Sequence, residues 1–170
     1  MHRRLAFRRA LSAVWRDPAA VAAAPRDVLS DLVYGWGNEG WSGKQEYLRE
    51  CLRYALECKG PMLECGSGLT TLLLGIVAQR LGLDVWSLEH LPEWGERVRG
   101  QLDRRGVTSV HLSVRALRDY GGFEWYEPPL TDMPDRFALV VCDGPPADTR
   151  GGRYGLVSVM RGKIGPGCVI

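Results

Sequence analysis

The stretch Glu64-Cys65-Gly66-Ser67-Gly68-Leu69-Thr70-Thr71 is the part of the chain best suited to chemistry. Two glycines one residue apart let a backbone turn tightly and approach a ligand closely. Glu89 follows 21 residues after Gly68. A carboxylate there can accept hydrogen bonds from both hydroxyls of a ribose, and charge-assisted bonds of this kind contribute roughly 1.5–3 kcal/mol. A third carboxylate, Asp143, ends the apolar run 137–142 and precedes Gly144-Pro145-Pro146. A dinucleotide fingerprint needs a third glycine at position 71, where the branched Thr71 would hinder close packing of helix on strand. No Gly-Lys-Ser/Thr follows, which excludes a Walker phosphate loop. Glu64, just before the turn, repels a pyrophosphate but suits a cationic ammonium or sulfonium group. Both departures favour S-adenosylmethionine (SAM) over NAD. Asp143 has three candidate roles: orienting the SAM amino group, acting as a base, or binding a divalent metal. A metal needs further oxygen ligands, and no convincing set accompanies it. The plainer alternatives are a surface glutamate at a strand end for Glu89 and a turn-forming Asp-Gly for Asp143.

These residues need elements to position them. From Pro61 onward, strand and helix signals alternate. Strands are predicted at 62–65, 83–88, 109–114 and 137–142, and helices at 70–81, 93–105 and 153–163. Residues 119–136 read as a long loop rich in Gly, Pro and aromatics. Gly165-Pro166-Gly167 breaks the last helix, and a fifth strand begins at Cys168. Strands separated by helices of this length imply a parallel sheet with right-handed crossovers. Its ligands belong beyond the carboxyl ends of the strands, where Glu64 to Gly68, Glu89-His90, Val114 to Leu117 and Asp143 to Pro146 all fall. Ahead of the sheet, residues 3–16 place Phe7, Ala10, Leu11, Val14 and Trp15 at helical spacing, with the arginines mostly opposite. Asp17-Pro18 ends that helix. A short one runs from about Pro25 to Tyr34. Residues 35–43 hold four glycines and two tryptophans and are predicted irregular. Ser42, with Gln45 as capping-box partner, opens a helix that runs to Lys59-Gly60.

Leu63-Glu-Cys-Gly-Ser-Gly-Leu-Thr-Thr, Ser87-Leu-Glu-His, Val141-Cys-Asp-Gly-Pro-Pro and Thr149-Arg-Gly-Gly-Arg-Tyr resemble class I SAM-dependent methyltransferases. They are most similar to a small bacterial group with Asp-Gly-Pro-Pro after strand four and a lead-in like Trp36-Gly-Asn-Glu-Gly-Trp. The resemblance covers about residues 34–170. It implies an α/β fold with a Rossmann-like, mostly parallel sheet of about five strands. Residues 1–34 form a helical extension and residues 35–170 a C-terminally incomplete SAM-binding domain. It also implies that Glu64, Gly66, Ser67 and Gly68 line the methionine end of SAM. Glu89 holds the ribose, His90 flanks the sugar or adenine, and Ala116 and Leu117 bound the adenine. Asp143 faces the amino group or the methyl and is the candidate catalytic base. An aromatic of the Trp36–Trp41 loop covers the sulfonium by a cation–π contact. The family's sheet has seven strands, so the sequence reads as a shortened form of a longer protein. A minimal natural version, or one completed by a partner chain, is the alternative. A homo-oligomer or a partner would cover the open sheet edge.

Composition bounds the rest. The chain has 170 residues, 45% hydrophobic and 25% charged, which suits one soluble domain and excludes collagen and extended disorder. No apolar run approaches the ~20 residues of a membrane span. Five arginines and no acid fall in residues 1–16, while the remainder is net acidic. The basic helix is expected to cap the domain, and the body offers no case for nucleic acid as the main ligand. The five cysteines lack zinc or thioredoxin spacing, and no secretory signal precedes them. Reduced thiols in a bacterial cytoplasm are the simple expectation. Cys51 and Cys58 are expected to be core fillers on one helix face. The expected activity is methyl transfer from SAM to a small-molecule acceptor, at oxygen. The rivals are a non-catalytic SAM-binding module, a nucleotide-binding oxidoreductase, and a nucleic-acid methyltransferase that uses the arginine helix.

Overall fold

The structure is a computed structural model that describes residues 2–23, 27–38 and 43–170. Its helices are α1 His2–Arg16, α2 Pro18–Ala23, α3 Asp27–Trp36, α4 Gln45–Glu57, α5 Leu69–Leu81, α6 Pro92–Arg105 and α7 Tyr154–Val159. The strands are β1 Met62–Cys65, β2 Val85–Glu89, β3 Val110–Val114, β4 Arg118–Asp119, β5 Glu124–Trp125, β6 Phe137–Cys142 and β7 Ile164–Val169. Five strands form one sheet in the order β3-β2-β1-β6-β7, every neighbouring pair parallel. β4 and β5 form a separate antiparallel ladder.

Side chains alternate across this sheet, as the pleat dictates, and each face has its own core. Met62, Val85, Leu139 and Val141 join the cluster built from α1 to α6. Leu63, Leu88, Phe137 and Val140 join the opposite cluster, with Trp125, Tyr126, Leu156 and Met160. The central strands are therefore mostly apolar on both faces, as parallel strands between two layers must be, with Glu64 and Ser87 the buried polar exceptions in β1 and β2 before Glu89. α5 is buried from Leu69 to Ala78, because it lies between the sheet and the N-terminal helices. α1 turns Phe7, Ala10, Leu11 and Val14 inward, and Trp15 is partly buried against the same cluster.

Several sequence expectations need correction. Asp17-Pro18 ends α1 and also starts α2: Ala20 N donates to Asp17 Oδ1 at 2.9 Å, and Pro18 opens the helix. α3 runs through Gly35 to Trp36, because α1 packs so close that a Cβ at Gly35 would sit 2.4 Å from Phe7 Cβ. α4 starts at Gln45 with Lys44 at the N-cap; the expected capping box needs Ser42. Ser42 lies outside the described residues, as does Trp41. Finally, β7 begins at Ile164 rather than Cys168, after a short α7 and a 3-10 turn at Arg161–Lys163. Phe137 pairs with Ile164 and Leu139 with Val169, so the extra residues of Gly165-Pro166-Gly167 sit in a bulge. An edge strand tolerates Pro and Gly there because no strand of the described sheet needs a donor from its outer side. The expected loop at 119–136 also contains the small β4–β5 hairpin, closed by Tyr120 N donating to Phe123 O at 2.9 Å.

At the β1 and β6 ends the backbones lie close together. Asp143 N and Gly144 N both donate to Cys65 O, at 3.0 and 2.7 Å. Gly66 has φ +95, and a Cβ there would lie 2.8 Å from Gly144 N. Gly66→Ala therefore combines a disfavoured φ with overpacking against backbone that has nowhere to go. We expect a loss of roughly 2–4 kcal/mol in urea denaturation. An unchanged midpoint would show that the β1–β6 junction tolerates a side chain.

Candidate cofactor-binding site

The turn after β1 and the ends of β2 and β6 open into one cavity of about 890 Å³. Gly66, Ser67, Gly68, Glu89, His90 and Asp143 all line it, so the structure brings six of the nine expected site residues together. Its other walls come from Thr70 of α5, Leu91 and Trp94 at the start of α6, Trp36, Tyr47, Tyr126 and Arg153.

Glu89 is held at the foot of the glycine turn. Its Oε2 accepts from Ser67 N at 3.2 Å and Ser67 Oγ at 2.7 Å, and its Oε1 from His90 N at 2.7 Å and Leu91 N at 2.9 Å. His90 Nδ1 is also 3.1 Å from Oε1. Burial pushes this carboxyl up, but the bonds from His90, Leu91 and Ser67 outweigh it and hold Glu89 below the ordinary range. It is thus an ionised acceptor in a nearly closed setting. Three of its donors are backbone N–H groups. The Ser67 hydroxyl can rotate away, so Glu89 has acceptor capacity for a ligand hydroxyl.

Glu64 is not brought to the cavity. It lies on the α5 face of β1, fully buried. Thr70 Oγ1 donates to its Oε1 at 2.5 Å; Thr71 Oγ1 and Ser87 Oγ each donate to its Oε2 at 2.6 Å. Burial pushes its carboxyl up to about 7, against the pull of these bonds. Near neutrality it is only partly charged, so its case for a cationic ligand weakens. Thr71, expected to hinder helix–strand packing, instead fills the gap: Gly68 N donates to its hydroxyl at 2.7 Å, and that hydroxyl donates to Glu64. Ala116 and Leu117 also stay outside the cavity. They follow β3, the edge strand; Ala116 is exposed and Leu117 packs on the core beneath the sheet.

Asp143 is half exposed at the cavity wall. Arg153 Nη2 donates to its backbone oxygen and lies 3.3 Å from its Oδ1. Among the described residues no group of three or more His, Cys, Asp or Glu side chains is placed to hold a metal ion.

Several wall residues carried no readable sequence signal. Tyr126 is 2% exposed and its hydroxyl has no hydrogen-bond partner. Its ring stands edge-on to His90 at 5.9 Å, and its hydroxyl lies against Gly144. Burial, and next the charge of Glu89, push its phenol upward, so it stays protonated and serves as a donor. Trp36 Nε1 is likewise buried without a partner. Trp94 Nε1 donates to Ser67 O at 2.7 Å, tying α6 to the glycine turn. Arg97 donates to Trp36 O at 2.7 Å and sits 4.8 Å above the Trp94 ring. An aromatic wall at Trp36 was expected; Trp94 and Tyr126, in a polar helix and in a loop, were not.

The raised Glu64 carboxyl has a stability consequence. Between the ordinary carboxylate range and about pH 7 the folded chain binds a proton that the unfolded chain releases. The Glu64 contribution is full below about pH 4.5 and is lost as pH rises through about 7. We expect the melting temperature of Glu64→Gln to gain on the parent as pH goes from 5 to 8. A constant difference across that range would count against a raised Glu64.

No family model matches the chain, and no curated protein sequence matches it. Among solved structures it is similar to a methyltransferase from Podospora anserina with S-adenosylhomocysteine (SAH) bound. The TM-score is 0.59 at 18% identity, covering 94% of this chain and 60% of that one. A protein-L-isoaspartate O-methyltransferase is similar at 18% identity and a TM-score of 0.47, over 82% of this chain and 47% of that one. The chain thus spans less than two thirds of the length of either neighbour. Its parallel sheet, in the order β3-β2-β1-β6-β7 and covered on both faces, has the fold of the class I SAM-dependent methyltransferases.

Proposed function

We propose that the chain binds SAM in this cavity and transfers its methyl group to an oxygen of a small-molecule acceptor. The observation that carries the reading is the ionised Glu89, fastened at the base of the Gly66-Ser67-Gly68 turn and facing a cavity of ligand size. The residues present fit such a ligand. Glu89 accepts from ribose hydroxyls when the Ser67 hydroxyl turns aside, and His90 flanks the sugar. Tyr126 Oη and Trp36 Nε1 are buried donors without a protein acceptor, which a ligand rich in acceptors satisfies. When bound, SAM supplies a methyl on a sulfonium that is displaced in line by the acceptor oxygen, leaving SAH. The chain's part is to hold donor and acceptor in line, where proximity supplies much of the rate. Asp143, at the cavity wall beside Arg153, takes the acceptor's proton.

In this reading residues 35–170 form the SAM-binding domain and residues 1–34 a helical cover. The five cysteines are free, in keeping with a bacterial cytoplasm. No helix of the described residues is long and apolar enough to cross a membrane. β7 is an edge of the described sheet, where a second copy or a partner chain would add. Light scattering reads that state directly.

Calorimetric titration with SAH, with NADH as control, tests the cofactor. We expect SAH to bind and NADH not to. NADH binding alone would replace the reading with an oxidoreductase. SAM binding with no transfer to any oxygen acceptor would leave a binding module. Glu89→Ala should weaken SAH by about tenfold or more, since charge-assisted bonds are lost. Tyr126→Phe should weaken it by about 2–10-fold, since one neutral bond is lost. If Glu89→Ala leaves the affinity unchanged, the role given to the end of β2 is wrong.

A further inference from the structure

The arginines of α1 take no part in the cavity, and the fold adds to them. Arg4, Arg8, Ser12 and Arg16 recur every fourth residue and so form one stripe on the helix, with Arg9 beside it. All of them are exposed, because Phe7, Ala10, Leu11 and Val14 turn the apolar side of α1 inward. The last turn of α6 then brings Arg104 and Arg105 to the same place: the Arg105 guanidinium lies 4.9 Å over the Phe7 ring. Burial and the charges of Arg104 and Arg8 all disfavour the charged form of Arg105. Its Nε is buried without a hydrogen-bond partner. Among the described residues no ion pair involves Arg4, Arg8, Arg9, Arg16, Arg104 or Arg105. Two elements far apart in sequence thus assemble a cluster of like charges that, among the described residues, no carboxylate pairs with. Like-charge neighbours destabilise a helix surface, so the arrangement suits a partner that brings its own negative charge.

We infer that this α1–α6 surface binds the phosphodiester backbone of a nucleic acid. Guanidinium groups match phosphate oxygens in forked, two-bond geometry. The stripe from Arg4 to Arg16 is about 18 Å long at 1.5 Å per residue, which spans about five phosphates of one strand at 3.4 Å each. A membrane surface fits less well: the apolar side of α1 is spent on α3 and the core, and among its outward side chains Leu5 is a single large apolar one. Stable attachment to a bilayer takes an apolar anchor in addition to charge. Arg105 also lies about 16 Å along α6 from Trp94 at the cavity, so the surface acts as a docking site separate from the methyl-transfer centre. It stands whether or not SAM is the ligand.

The test is fluorescence anisotropy of the full chain with labelled 20-nucleotide single-stranded RNA and 20-base-pair DNA, from 50 to 200 mM salt. We expect binding that weakens steeply with salt. In the triple variant Arg4→Gln, Arg8→Gln, Arg104→Gln the slope of log K against log salt should fall by about 2–3, with a melting temperature no lower than the parent's reporting an intact fold. The single variant Arg9→Gln guards against misfolding of the triple and should lower the slope by about 0.7–0.9. Absence of binding at 50 mM salt, or a triple variant with the parent's slope, would overturn the inference. So would binding confined to vesicles containing phosphatidylserine.

Discussion

Three hydroxyls converge on one buried carboxylate, and much of the site's geometry hangs from that point. Thr70 and Thr71 come from the first turn of α5 and Ser87 from β2, while Glu64 belongs to β1. The cluster therefore fixes the angle at which α5 leaves the sheet and the spacing of β1 from β2. A buried carboxylate left without these donors would be costly. With them it is satisfied in either protonation state, because hydroxyls rotate to donate or accept. Gly68 N extends the chain of bonds through Thr71 to Glu64, so the glycine turn itself is hung from the same group.

The cavity-facing layer sits directly above. Glu89 ends β2 and reaches back to Ser67, while Trp94 of α6 bonds Ser67 O from the other side. On the β6 side, Cys65 O accepts from two successive backbone N–H groups, and Gly66 and Gly144 meet without side chains between them. The turn is thereby clamped from β2, α6 and β6 at once. A cavity rim built this way is rigid before any ligand arrives, and preorganisation of this kind lowers the cost of binding. The two carboxylates divide the labour by depth: Glu64 is a structural group, and Glu89 is the one whose charge the cavity can use.

The N-terminal helices contribute more than cover. α1 closes on α3 at Gly35, α3 delivers Trp36 to the cavity, and Arg97 of α6 bonds Trp36 O. The helical layer and the sheet are thus joined at the cavity wall. The same packing that buries Phe7, Ala10, Leu11 and Val14 leaves the arginines of α1 outward. One amphipathic helix therefore serves the core with one side and a charged surface with the other.

The alternation of apolar runs with helical periods was enough to read the parallel sheet, because a strand buried on both faces must be mostly apolar. Motif positions at strand ends located Gly66, Ser67, Gly68, Glu89, His90 and Asp143, because topology forces the ends of adjacent parallel strands to the same edge. What stayed illegible depends on packing between distant segments. Glu64 is one residue from the turn, yet the pleat points it at α5 rather than at the cavity. Tyr126 is an unremarkable aromatic in a loop until the fold lays its hydroxyl against Gly144. The start of β7 was hidden because an edge strand with a bulge accepts Gly-Pro-Gly, which reads as a break in any local pattern. Local chemistry determined which groups are available, whereas tertiary packing decided which of them face the cavity, since orientation and burial are properties of neighbours that the chain brings together only when folded.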